Sequence, residues 1–216
     1  ITLFSAKRHP AKRVFILDTI QPEAFNVAPQ LVSVKLSSNR LSSLPPGVFQ
    51  SLTNLEQLHL DGNQITSVSP ELFKGLGNLT ELDLSMNRIS QLDNNVFQNL
   101  HRLRFLNLGR NSLTQLPPNL FHALPYLQFL ILYNNQLESL HPGLFWHMAY
   151  LQTLTLSGNQ LQTLPEESLM YLHNHIQTYY IGLLLTDFTI HISQCICKYI
   201  CKQQKPELID CCVLLM

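Results

Sequence analysis

An asparagine recurs every 24 residues through most of this chain, each time inside the same pattern of leucines. The pattern reads L-x-x-(L/V)-x-L-x-x-N-x-(L/I), and its six copies run from Leu31 to Leu161. The repeated residues are Asn39, Asn63, Asn87, Asn111, Asn135 and Asn159. This strict spacing predicts an array of similar coils, in which each coil buries its apolar side chains against those of its neighbours.

The repeated asparagine has a structural explanation. Where the chain leaves each strand and turns inward, backbone N–H and C=O groups become buried without a sheet partner, and a side-chain amide can satisfy both kinds of group. We therefore predict that the six asparagines form a hydrogen-bonded ladder and that none of them binds a ligand.

The second half of each repeat carries one phenylalanine at the same 24-residue spacing. One aromatic ring per coil indicates core packing on the convex side rather than a cofactor site, and no cofactor is expected. These residues are Phe49, Phe73, Phe97, Phe121 and Phe145. Leu17, Ile20 and Phe25 keep the same offsets upstream, with Phe15 in the asparagine position, so a partial repeat is predicted before the first complete one.

The side chains that alternate with the strand leucines are predicted to face the concave side of the array. Two groups there indicate a binding surface. The acidic patch comprises Glu56, Asp61, Glu81 and Asp83, with His59 beside it. The aromatic patch comprises Phe105, Phe129, Ile131 and Tyr133. Exposed aromatic residues with a charged rim are typical of interaction hot spots, although Phe105 and Phe129 could also pack on each other as sheet neighbours.

Charge and motifs argue against two other functions. Lysine plus arginine and aspartate plus glutamate each number 14, and this balance gives no sign of a nucleic-acid partner. His59 lies near Asp61 and Asp83 without a positioned nucleophile, which favours surface hydrogen bonding over catalysis. No G-x-S-x-G, H-E-x-x-H or phosphate-loop motif occurs in the chain. We predict a binding protein and not an enzyme.

The repeat pattern is lost from about residue 170, and residues 170–216 hold all five cysteines. The spacing of Cys195, Cys197 and Cys201 lacks the paired C-x-x-C of structural zinc sites, so no metal site is predicted. The apolar run at 179–192 is shorter than the roughly 20 residues that a membrane span needs. We interpret this tail as atypical, arising from a truncated, alternatively spliced or mis-predicted gene product.

The L-P-x-x-x-F-x-x-L segment joined to the 24-residue leucine frame resembles the typical, extracellular subfamily of leucine-rich repeat proteins, over about residues 14–169. Segments such as LPPGVFQSLTNLEQLHLDGNQI look like the regulatory subunit of carboxypeptidase N, platelet glycoprotein V and the leucine-rich alpha-2-glycoprotein. The resemblance implies an α/β repeat solenoid. Its shape would be a horseshoe with a parallel β-sheet on the concave side and irregular or 3-10 segments on the convex side.

The resemblance also implies a secreted or cell-surface, receptor-like glycoprotein that binds a protein ligand or partner subunit on its concave face. Membrane attachment would come through regions outside this chain. Asn78-Leu79-Thr80 is the only N-x-[S/T] sequon, which makes Asn78 a candidate glycosylation site.

The chain departs from this subfamily at its two ends. The resemblance implies disulfide-bonded caps, but no cysteine precedes Cys195. Residues 1–13 are expected to form a poorly ordered N-terminal fragment. An intracellular repeat scaffold, or a truncated product without independent function, therefore stays as an alternative.

Overall fold

The computed structural model describes residues 4–8, 15–162 and 165. The interpretations of the cysteine-rich tail at 170–216, including the zinc and membrane alternatives, lie outside the described residues.

The chain begins with a hairpin of two antiparallel strands, β1 (Phe4–Arg8) and β2 (Phe15–Ile20). Leu17 of β2 also joins the first coil, because its N–H donates to the Asn39 side chain at 2.9 Å. A poorly ordered fragment was expected at residues 1–13, and no pattern in the sequence predicted this hairpin.

Six three-residue strands form one parallel sheet in chain order. They are β3 (Ser33–Lys35), β4 (Gln57–His59), β5 (Glu81–Asp83), β6 (Phe105–Asn107), β7 (Phe129–Ile131) and β8 (Thr153–Thr155). Each residue pairs with the one 24 positions later, as Gln57 does with Glu81. The middle residue of every strand is a buried leucine or valine, and the flanking residues face outward, as alternation along a strand requires. The predicted repeat solenoid with a parallel concave sheet is confirmed.

Each of these strands is followed, three residues after its end, by a residue in the left-handed backbone region. The φ angles are 57° at Ser38, 66° at Gly62, 54° at Met86, 54° at Arg110, 52° at Asn134 and 69° at Gly158. This turn directs the next residue, the repeated asparagine, into the interior. It explains why the strands are short, and it is a feature that sequence analysis did not predict.

The convex side is made of turns, with one 3-10 helix at Pro70–Phe73. The phenylalanine of each coil lies inside it, and all five are at most 1% exposed. Ring centroids of Phe73 and Phe97 are 6.0 Å apart, and those of Phe25 and Phe49 are 5.3 Å apart. These phenylalanines, called the aromatic spine below, are therefore core as predicted, and the partial repeat contributes to the spine through Phe25.

The asparagines form the predicted ladder. In the second complete coil, Asn63 Nδ2 donates to Leu36 O of the preceding coil and to Leu60 O of its own coil, each at 2.9 Å. Its Oδ1 accepts from Leu41 N at 3.1 Å. The same three bonds recur at the next four asparagines, Asn87, Asn111, Asn135 and Asn159. Each of these amides thus joins two coils and satisfies backbone groups that the sheet leaves unpaired.

Candidate ligand-binding face

Three members of the aromatic patch lie on the adjacent strands β6 and β7. Phe105 and Phe129 are register partners whose ring centroids are 6.3 Å apart. Ile131 lies two residues after Phe129, on the same face of its strand. All three side chains are only partly buried. The two phenylalanine rings therefore pack on each other as sheet neighbours, which was one of the two alternatives from the sequence. They still present apolar surface to solvent.

Tyr133 completes the aromatic patch and is positioned by a glycine on the neighbouring coil. A Cβ atom added at Gly109 would lie 2.6 Å from Tyr133 Cε1, so the ring occupies space that any other residue at position 109 would fill. Gly109 does not have a positive φ angle, and the ring alone accounts for the glycine. The Arg110 guanidinium lies 6.0 Å from the centre of the same ring, within the range of a cation–π contact. Sequence analysis identified Tyr133 but missed its partner.

Asp61 and Asp83 are held by hydrogen bonds across coils. Ser37 Oγ donates to Asp61 Oδ1 at 2.6 Å. Asp83 accepts from Asn107 Nδ2 at 3.2 Å and from the backbone N–H of Ser85 at 2.9 Å. Both carboxylates are only partly buried, so they keep a face toward solvent.

Glu81 and His59 form a second contact on this part of the face. His59 Nε2 lies 3.5 Å from Glu81 Oε1, and Gln57 Nε2 donates to Glu81 Oε2 at 3.1 Å. Ligand atoms of His59, Asp61 and Asp83 can lie within 4.8 Å of one another. The carboxylate oxygens of Asp61 and Asp83 already accept the hydrogen bonds described above. Nothing else in this group of residues indicates a cation, so no metal site is assigned.

One sequence-based placement needs correction. Glu56 was assigned to the acidic patch, but it precedes β4 and lines a groove on the side of the solenoid, because alternation toward the concave face begins only with the strand. Three carboxylates thus remain on the concave face: Asp61, Glu81 and Asp83.

The candidate glycosylation site lies on the same lateral groove as Glu56. This groove has a volume of about 360 Å³ and is bordered by residues that come just before four successive strands, β4 to β7. The lining residues are Glu56, Asn78, Thr80, Arg102, Arg104 and Tyr126. No sequence pattern predicted the groove, because its members come from separate repeats.

The leucine rich repeat family matches residues 15–65, 54–113 and 106–161. The chain belongs to this family. No curated protein matches it, so the likeness to the three named extracellular proteins stays a resemblance. Across residues 4–8 and 15–162, no helix has the length and apolar content needed to cross a membrane.

Two solved structures of Toll-type leucine-rich repeat proteins are similar to this chain. The complex of TLR13 with the single-stranded RNA ssRNA13 is 28% identical with a TM-score of 0.58, and the match covers 71% of this chain and 25% of that chain. The Drosophila Toll–Spatzle complex is 23% identical with a TM-score of 0.52, covering 76% and 28% respectively, and it shows the fold alone. This leucine-rich repeat chain therefore spans 25% and 28% of the length of those proteins.

Proposed function

We propose that this chain is the ligand-binding part of a secreted or cell-surface leucine-rich repeat protein, and that it binds a protein partner on its concave face. The observation that carries the proposal is the aromatic patch. Phe105 and Phe129 pack as a pair on the fourth and fifth of the six strands while staying partly exposed, and the Tyr133 ring lies over Gly109 in the same patch. Clustered, partly exposed aromatic residues are typical of binding hot spots.

The neighbouring carboxylates indicate what the partner offers. Glu81 and Asp83 lie on β5, directly beside the aromatic residue of β6. Adjacent strands are about 4.8 Å apart, so a segment crossing from β5 to β7 covers about 10 Å. A partner with an apolar anchor and a lysine or arginine at that separation would match both parts of the face.

Nucleic acid is the partner class that needs a separate test. The charge balance gave no sign of a nucleic-acid partner, but the comparisons do not support excluding one, since one similar structure is TLR13 in complex with RNA. The argument against RNA on this face is the set of three carboxylates, because phosphates require neutralising cations. We propose a protein partner and binding without catalysis or a cofactor.

The experiment is a binding screen of the full chain, multimerised on a carrier, against purified extracellular domains and against a labelled single-stranded RNA. The partner that binds is then measured with the double variant Phe129→Ala/Tyr133→Ala. We expect an affinity loss of about 30-fold or more, equivalent to about 2 kcal/mol. The matched control is Trp146→Ala/Tyr150→Ala, which removes two rings that are 53% and 56% exposed outside the concave sheet. If the concave variant binds as tightly as the control, or if RNA is the ligand recovered, the proposal is wrong.

A further inference from the structure

The Asn78 side chain is held in a defined orientation at the lateral groove. Its Nδ2 donates to Thr53 O at 2.9 Å, and its Oδ1 accepts from Arg102 Nη1 at 2.7 Å. An amide nitrogen carries two hydrogens, and the bond to Thr53 O uses one of them. The second position can carry a sugar without breaking either described bond. The third residue of the sequon, Thr80, is also fixed, because its Oγ1 donates to Glu56 O at 3.0 Å.

The groove beside Asn78 has the chemistry of a sugar-binding surface. Arg102 and Arg104 bring guanidinium N–H donors, which suit the hydroxyl and acetamide oxygens of an N-acetylated sugar. Tyr126 brings an aromatic ring that is 52% exposed, and its centroid lies 5.6 Å from that of Tyr150. Apolar faces of sugar rings pack on such rings. At about 360 Å³ the groove lies at the small end of the ligand-site range of about 300–1,000 Å³.

We propose that Asn78 carries an N-linked glycan and that the first sugar of this glycan lies in the lateral groove, against Tyr126 and Arg104. The donor is a polyprenyl diphosphate oligosaccharide. The bond between sugar C1 and the diphosphate oxygen breaks, a bond from C1 to Nδ2 forms, and Nδ2 loses one proton while the diphosphate leaves. The occupant of the groove is thus part of the molecule itself, and no separate ligand is required.

A glycan on Asn78 would cover the side of the coils and not the binding face. A glycan in the groove covers the side of the coils where Arg102 and Arg104 are exposed. It leaves the concave sheet uncovered, because the groove is lined by side chains that precede the strands. The inference rests on passage through the secretory pathway, which is part of the proposed function, but not on any property of the concave face.

Occupancy is tested by expressing the full chain behind a secretion leader in cells that add uniform oligomannose glycans. We expect a mass decrease on treatment with a peptide N-glycosidase, and no decrease in Asn78→Gln or Thr80→Ala. Thr80→Ser keeps the sequon and should restore the decrease. The glycan is added before export, so chain retained in the cells is assayed in the same way. Unmodified chain from both fractions would overturn the proposal, whatever the binding screen on the concave face shows.

The position of the sugar is tested on the form trimmed to one residue by an endoglycosidase. We expect the sugar protons of this form to be shifted upfield in NMR spectra by the ring current of Tyr126. Tyr126→Ala should return them to the values of a glycosylated peptide, and Trp146→Ala, which removes an exposed ring outside the groove, should leave the shift intact. Peptide-like signals in the unmutated glycoprotein would show that the sugar does not lie in the groove.

Discussion

Replacement of Asn87 tests the ladder at its centre. The side chain is 8% exposed, its Oδ1 accepts from Ile65 N at 3.0 Å, and its Nδ2 donates to Leu60 O at 3.0 Å and to Leu84 O at 3.1 Å. The two carbonyls also accept from neighbouring asparagines, so they keep one partner when the amide is removed. The N–H of Ile65 loses its acceptor.

The size of the effect follows from these three groups. A buried N–H left without an acceptor costs about 1–3 kcal/mol, and each carbonyl that loses one of two bonds adds a smaller amount, so Asn87→Ala should lower the free energy of unfolding by about 2–4 kcal/mol. Asn159 makes the same pattern of bonds but is only partly buried, which gives water access to the freed groups. Asn159→Ala should therefore cost about 0.5–1.5 kcal/mol.

The assay is urea unfolding of the full chain, followed by circular dichroism and by the fluorescence of Trp146, the single tryptophan. A change of the urea midpoint reports a change of stability only if the slope of the unfolding free energy against urea concentration is the same in both variants, so this slope is checked first. Asn87→Asp is a further variant that keeps an acceptor for the N–H of Ile65 but places a carboxylate against two carbonyl oxygens. Because that contact is repulsive, this variant should be at least as unstable as Asn87→Ala. Equal losses for Asn87→Ala and Asn159→Ala would refute the argument from buried N–H groups.

Three further predictions concern the turns, the aromatic patch and the spine. Gly62→Ala should lower the free energy of unfolding by about 1–2 kcal/mol, because φ is 66° at this position. Gly77→Ala should be neutral or stabilising, because Gly77 has no positive φ and an added Cβ would meet no atom within 4 Å. Urea unfolding of both variants tests this difference. Gly109→Ala should weaken partner binding, because the added methyl group displaces the Tyr133 ring although the tyrosine itself is unchanged. Titration with the partner, together with a measurement of stability, separates weaker binding from loss of folded protein. Phe97→Ala, at 0% exposure, should cost about 3–5 kcal/mol in thermal or urea unfolding.

The interior was predictable because its residues repeat. A 24-residue period in leucine, asparagine and phenylalanine assigns each of them a place in the coil, and the buried leucines, the ladder and the spine follow from it. The left-handed turn was missed because its position holds residues as different as Ser38, Met86 and Arg110, so no residue type marks it. The β1–β2 hairpin was missed because no repeat covers Phe4–Arg8.

The strand residues that face the concave side were predictable from the sequence, but their contacts across coils were not. Alternation along the strands assigned Phe105 and Phe129 to the concave side, since a strand has only two faces. It could not show that Gly109 makes room for Tyr133, because that depends on where a side chain of one coil lies over the backbone of the next. The lateral groove was invisible for the same reason: Asn78 and Arg102 are 24 residues apart and meet only when coils stack.

All coils share one backbone, so any selectivity of the concave face must come from the side chains that differ between strands. The face changes from acidic to aromatic between β5 and β6, and the hydrogen bond from Asn107 to Asp83 spans that boundary. A partner that contacts only one side would leave either the carboxylates or the aromatic rings unused. A partner that crosses the boundary gains both, and because the acidic side lies toward β4 and the aromatic side toward β7, it can do so in one direction only. If a partner binds as proposed, the order of the two patches sets its orientation along the sheet as well as the chemistry that it must offer.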